Sequence, residues 1–98
     1  MNNEKLTNFL KALCDETRQK ILFLLMESEK NVSELVDNFK ISQPTISHHL
    51  NILKNAGLVS IRKEGKLIYY RLNCNCFEDC CKDFFDQFGF CIKPKGKK

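Results

Sequence analysis

Four of the six cysteines, Cys74, Cys76, Cys80 and Cys81, fall within eight consecutive positions, and Cys91 follows them. Thiols at this density point to soft-ion binding or to redox chemistry. A soft ion needs several thiolates in one small volume: three suit trivalent arsenic, and four suit Zn(II) or Cd(II) in a tetrahedral site. The spacing C-x-C-x3-C-C is not the paired C-x2-C of zinc ribbons. A vicinal pair such as Cys80–Cys81 bridges itself only with strain, yet it can hold a large soft ion together with a third sulfur. On a helix, Cys76 and Cys80 are one turn apart, so their sulfurs can converge. Cys81 shares a stripe with Phe77, Phe84 and Phe88, which predicts a small hydrophobe in the core or a dimer interface. Cys74 precedes the helix and can fold back. The rival reading is a thiol-based redox or reactive-sulfur sensor using Cys74, Cys76 or Cys80. Glu78, Asp79 and Asp83 argue against a reactive thiolate there by like-charge repulsion, which a bound cation would relieve.

Composition sets where that chemistry would run. The chain has 98 residues, 43% apolar and 29% charged, which is enough for one modest core. Its start, Met1 to Lys5, is polar, and the apolar run from Ile21 to Met26 is too short to span a bilayer. A cytoplasmic protein without a membrane partner is expected. In a reducing compartment the clustered thiols read as ligands rather than as a disulfide framework. The net charge is +4. Lys54, Arg62, Lys63, Lys66 and Arg71 concentrate in the middle of the chain, while acids crowd the cysteine segment. The middle is therefore suited to an anion such as DNA. No C-x-x-C pair, phosphate loop or nucleophile–base–acid set supports an enzyme.

The elements that would position these groups follow from periodicity. Leu6, Phe9, Leu10 and Leu13 repeat as one face of a helix. Asp15 can cap a second, with Ile21, Leu22, Leu24 and Leu25 on its apolar side. Asn31 and Glu34 form a capping box for a short third helix bearing Val32, Leu35, Val36 and Phe39 inward. Ser42 caps a fourth, with Pro44 in its first turn and Ile46, Leu50 and Leu53 as its buried stripe. Gly57 can end it in the left-handed conformation. Val59–Arg62 and Ile68–Leu72 alternate with period two around Glu64-Gly65-Lys66, a hairpin. A last helix is expected from about Cys76 to Phe88. The order α-α-α-α-β-β-α is mainly α with a β-hairpin wing: a winged helix-turn-helix.

Short polar side chains at the start of the fourth helix give this architecture its chemistry. Gln43, Thr45, Ser47 and His48 lie off the buried stripe, where a helix entering the major groove needs them. Gln can pair in bidentate fashion with adenine, and the Thr methyl can meet thymine. Arg62, Lys63 and Lys66 at the hairpin could reach a flanking minor groove or the backbone. His49, beside Ile46 and Leu53, reads as a hydrogen-bonded packing residue. Arg18 could bind phosphate or pair with a neighbouring acid.

The stretches LCDETRQKILFLL and NVSELVDNFKISQPTISHHLNILKNAGLVSIRKEGKLIYYRL resemble the ArsR/SmtB family of winged-helix bacterial repressors, from about Leu6 to Leu72. The resemblance implies a homodimer built on the first and last helices, a DNA operator of two-fold symmetry, and an effector that releases it. It implies DNA contacts from Gln43, Thr45, Ser47 and His48. The family's best-known ligand sets are not matched: Asn31-Val32-Ser33 stands where arsenic sensors carry C-V-C, and no histidine follows His49 to serve a zinc site in the last helix. The expected protein is thus a repressor released when a thiophilic ion binds Cys74, Cys76, Cys80, Cys81 and Cys91 in some combination. As(III) is the expected inducer, with Cd(II) or Zn(II) as alternatives, and folding needs no cofactor. Residues 1–91 would form the DNA-binding and dimerisation domain, and 92–98 a basic disordered tail. A protein-interaction module with a structural zinc site is the reading from another class.

Overall fold

The computed structural model describes residues 3–89. Its elements are α1 (Asn3–Leu13), α2 (Glu16–Glu27), β1 (Lys30–Asn31), α3 (Val32–Val36), α4 (Gln43–Asn55), β2 (Val59–Glu64), β3 (Leu67–Leu72) and α5 (Cys74–Phe88). This is a winged helix-turn-helix: α3 and α4 form the helix pair, and β2–β3 the wing. One element was not expected. The two-residue strand β1 pairs antiparallel with β3, Lys30 opposite Tyr70 and Asn31 opposite Tyr69, giving a sheet ordered β1-β3-β2. Two residues are too few to show any alternation, so no periodic signal marks them.

The caps are those the sequence specifies. Asp15 accepts from the Arg18 amide at 3.0 Å and starts α2. Asn31 accepts from the Glu34 amide at 2.8 Å, and Glu34 accepts from the Asn31 amide at 2.9 Å, so the capping box of α3 is complete. Ser42 starts α4, with Pro44 in the first turn where no amide hydrogen is needed. At the other end of α4, Gly57 has φ +84°. The Gly57 amide donates to the Lys54 carbonyl, and the Leu58 amide to the Leu53 carbonyl, both at 2.9 Å. That pair of bonds is the Schellman arrangement, and the buried side chains of Leu53 and Leu58 seal it.

One core holds the helices together. Ile21, Leu35, Ile46, Leu50, Leu53 and Leu58 are fully buried, flanked by Leu6, Phe9 and Ala12 of α1 and by Leu22 and Leu25 of α2. The core also includes Cys76 and Cys80. Here the structure takes the stripe of Phe77, Cys81, Phe84 and Phe88, expected in the core or in a dimer interface, largely out of the core. The helix starts at Cys74, two residues early, because Asn73 caps it by accepting from the Cys76 amide at 3.3 Å. The Asn73 amide in turn donates to Leu58 at 2.8 Å. With the start pinned against Leu58, Cys76 and Cys80 face inward. Cys81, Phe84 and Phe88 lie outward and exposed, and only Phe77 of that stripe is half-buried. Cys91 and the expected basic tail lie outside the described residues. Among the described residues, no helix is long and apolar enough to cross a membrane.

Candidate nucleic-acid interface and the cysteine helix

The first turns of α4 hold Gln43, Thr45 and His48 exposed and Ser47 half-buried, while Ile46 and Leu50 anchor the same helix in the core. Thr45 is tied to the cap: its hydroxyl lies 3.0 Å from the Ser42 hydroxyl. The geometry fixes the helix start rigidly and leaves a polar face toward solvent. His49 points the other way. Its Nδ1 sits 3.3 Å from the Arg18 guanidinium and 3.9 Å from the Asp15 carboxylate. Arg18 also donates to the Ala12 and Lys11 carbonyls at 2.8 and 3.1 Å, so it closes the end of α1. The Arg18 amide, foremost, holds the Asp15 carboxyl below the usual carboxylate range, helped by His49 and the Arg18 charge. His49 and Arg18 therefore join α4 to the α1–α2 corner, the packing role expected for His49.

The wing divides its cations into two kinds. Arg62 grips Glu29 with two bonds, at 3.1 and 2.6 Å, donates to Glu64 at 2.8 Å and stacks on Tyr69 at 4.7 Å. The bond from Arg62 holds the Glu29 carboxyl below its ordinary range. In this arrangement Arg62 fastens the wing to the end of α2, a role that sequence reading missed because Glu29 lies 33 positions away. Lys63 and Lys66 are exposed at the tip, on either side of Gly65, whose φ of +61° suits a two-residue hairpin turn.

Among the described residues the cysteines separate into a pair and three singles. The Cys76 and Cys80 sulfurs lie 3.9 Å apart, and Cys76 also reaches the Ala56 carbonyl at 3.8 Å. Burial, and then the adjoining Cys76 thiol, push the Cys80 thiol up to about 11, so it is held protonated. Cys76 borders an open cleft of about 500 Å³ lined by Lys5, Asn55, Gly57, Asn73 and Asp79. Cys74 is exposed in a different cleft beside Ser60 and Arg71. Cys81 is exposed in an apolar groove with Phe9, Leu10, Phe77, Phe84 and Phe85. Cys14 is exposed and remote from these in sequence. Among the described residues, no three His, Cys, Asp or Glu side chains gather to hold a metal ion. The two inward sulfurs do fit two vertices of a soft centre: bonds of about 2.3 Å set tetrahedral sulfurs roughly 3.8 Å apart.

Comparison with known proteins places this geometry. Residues 15–60 match the family described as bacterial regulatory protein, arsR family. The chain is 45% identical over 74 residues to the transcriptional repressor SdpR of Bacillus subtilis, covering 76% of this chain and 82% of that one. It is 39% identical over 79 residues to the arsenical resistance operon repressor of Staphylococcus aureus, covering 81% and 76%. Among solved structures, an ArsR-like transcriptional regulator from Rhodococcus sp. RHA1 superposes with a TM-score of 0.80 at 31% identity, over 89% of this chain and 81% of that one.

Proposed function

Because the chain belongs to the ArsR family of bacterial regulatory proteins, and so is a DNA-binding transcriptional regulator and not an enzyme, we propose that it is a homodimeric repressor released by a thiophilic ion at α5. The observation that carries the DNA half is the start of α4: a capped, core-anchored helix with Gln43, Thr45 and His48 presented to solvent. Gln43 reads a base edge, the methyl of Thr45 packs on a base, and Ser47 and His48 contact base edges or backbone. Lys63 and Lys66 take phosphates or a flanking minor groove. Arg62 joins them only by exchanging a carboxylate partner. The dimer forms over the outward face of α1 and α5, where Phe84, Phe85 and Phe88 stay 36%, 55% and 41% exposed in a single chain. Residues through Cys91 serve DNA binding and dimerisation, and the lysines beyond add a basic tail.

The inducer half rests on the paired sulfurs of Cys76 and Cys80. Cys74, Cys81 or Cys91, from the same or the partner subunit, completes the set for As(III), Cd(II) or Zn(II). A direct disulfide is a poorer reading. It needs Cβ atoms about 3.5–4.5 Å apart, whereas side chains one helical turn apart stand about 5–6 Å apart.

Selection of duplexes from a random pool, followed by fluorescence anisotropy, tests the proposal. The selected sites should show two-fold symmetry with half-sites one helical turn apart. Gln43→Ala should cost about 1–3 kcal/mol of discrimination at one base position. Unchanged binding by Gln43→Ala and Ser47→Ala would show that α4 is not the reading helix.

A further inference from the structure

We infer that Leu67 and Ile68, at the tip of the wing, are specificity-determining residues: they select A·T over G·C pairs in the minor groove beside each half-site. The inference rests on the DNA reading of α4 proposed above. It adds a pair of residues outside α4 and the chemical feature of the duplex that they sense.

The root of the wing is fixed. Arg62 is held by Glu29, between α2 and β1, and by Glu64, and β3 is paired to β1 at Tyr69 and Tyr70. Only the hairpin from Lys63 to Ile68 projects beyond that anchor. Lys63, Glu64 and Gly65, at about 3.3 Å each, carry the turn roughly 10 Å past Arg62. The minor groove of B-form DNA is about 7.5 Å deep, within that reach. A side-chain carbon built on Gly65 meets nothing within 4 Å, so the turn stands clear of the rest of the chain.

The tip combines apolar surface with free cations. Leu67 and Ile68 are 49% and 39% exposed. As successive strand residues they face opposite sides of the hairpin. Lys63 lies across from Ile68, and Lys66 sits in the turn. Neither ammonium has a partner among the described residues. The neighbouring carboxylate, Glu64, is turned back onto Arg62 at 2.8 Å. The tip thus offers ammonium donors and aliphatic side chains, with its one acid engaged.

That combination matches one kind of base pair. In the minor groove, A·T pairs of either orientation show only acceptors, adenine N3 and thymine O2, whereas G·C adds the guanine N2 amino donor. Lys66 has three donors and no acceptor, so it satisfies the A·T floor and meets guanine donor to donor. Leu67 and Ile68 exclude water beside it. A guanine amino group covered by them is left without a partner, which is unfavourable. Lys63 takes a phosphate at the rim.

The test measures fluorescence anisotropy of the reduced full chain on a duplex selected as above, with the pairs flanking each half-site changed. Inosine·C removes the minor-groove amino group of G·C, and 2,6-diaminopurine·T adds one to A·T, while the major-groove edges stay as they were. Wild type should bind A·T and inosine·C flanks alike, and G·C and diaminopurine·T flanks about 5–30-fold more weakly. Leu67→Gln, which supplies an acceptor, and Leu67→Ala/Ile68→Ala should each largely close that gap. Both should keep the salt dependence of wild type, because neither removes a phosphate contact. The substituted side chains are exposed, so the core stays intact. Equal binding of all four flanks by wild type overturns the inference. So does a gap that both variants keep, which would assign the preference to groove width sensed by Lys66, and so does a gap that closes only with a flatter salt dependence. Each of these leaves the reading by α4 standing as long as Gln43→Ala still relaxes one base position of the half-site. If Gln43→Ala and Ser47→Ala leave binding unchanged, α4 is not the reading helix and both fall.

Discussion

Arg62 shows how little a residue's type says about its role. Its place on a basic hairpin pointed to DNA, yet the structure gives its guanidinium to Glu29, Glu64 and the Tyr69 ring. No local pattern reveals a pair formed across 33 positions. The polar residues of α4 were legible because helical periodicity alone separates them from Ile46, Leu50 and Leu53. The Glu29–Arg62 pair also carries a pH dependence. The Glu29 carboxyl is held below its unfolded value, chiefly by the bond from Arg62. Its contribution is therefore present above the unfolded value and is lost as pH falls through the folded one. Glu29→Gln should lower the melting temperature at neutral pH, and the gap to wild type should close in acid. A gap independent of pH would mean the pair does not anchor the wing.

Among elements, the caps were the most legible features and the rotation of α5 the least. Asp15, Asn31–Glu34, Ser42 and Gly57 mark their helix ends by type and spacing, and each does so in the structure. For α5 the stripe of Phe77, Cys81, Phe84 and Phe88 suggested a buried face, in the core or in a dimer interface, and periodicity alone does not decide between them. The outcome is decided elsewhere. Asn73 fixes where the helix begins, and only a small side chain fits beside Gly57. The outward aromatic face is then available to a partner. The two positive-φ glycines give a test at this scale. Gly57→Ala combines left-handed backbone with a tight approach to Cys76, while Gly65→Ala meets nothing within 4 Å. Both should destabilise by about 1–2 kcal/mol from the backbone alone, with Gly57→Ala the costlier. Urea denaturation would check the ranking, and equal losses would mean that Cys76 yields freely.

For the whole molecule, the winged helix-turn-helix was readable from element order, because a basic hairpin after a capped polar helix admits few other arrangements. The strand β1 was not readable, being defined only by its pairing with β3. The cysteine cluster was half legible. Spacing on a helix correctly joined Cys76 to Cys80, but it could not show that packing sends Cys74 and Cys81 to separate surfaces. On the proposed reading, the molecule holds DNA through charge and the start of α4. Its affinity should therefore fall by about 10³–10⁵ between roughly 50 and 200 mM salt if six to ten phosphates are neutralised. A shallow salt dependence, measured by anisotropy, would contradict that footprint.

The most direct measurement of the central claim is an arsenite titration of duplex-bound reduced protein. It compares wild type with a variant in which Cys74, Cys76, Cys80, Cys81 and Cys91 are all serine. The account predicts that wild type leaves the DNA while the variant, binding equally well beforehand, stays. Equal release of both would contradict it.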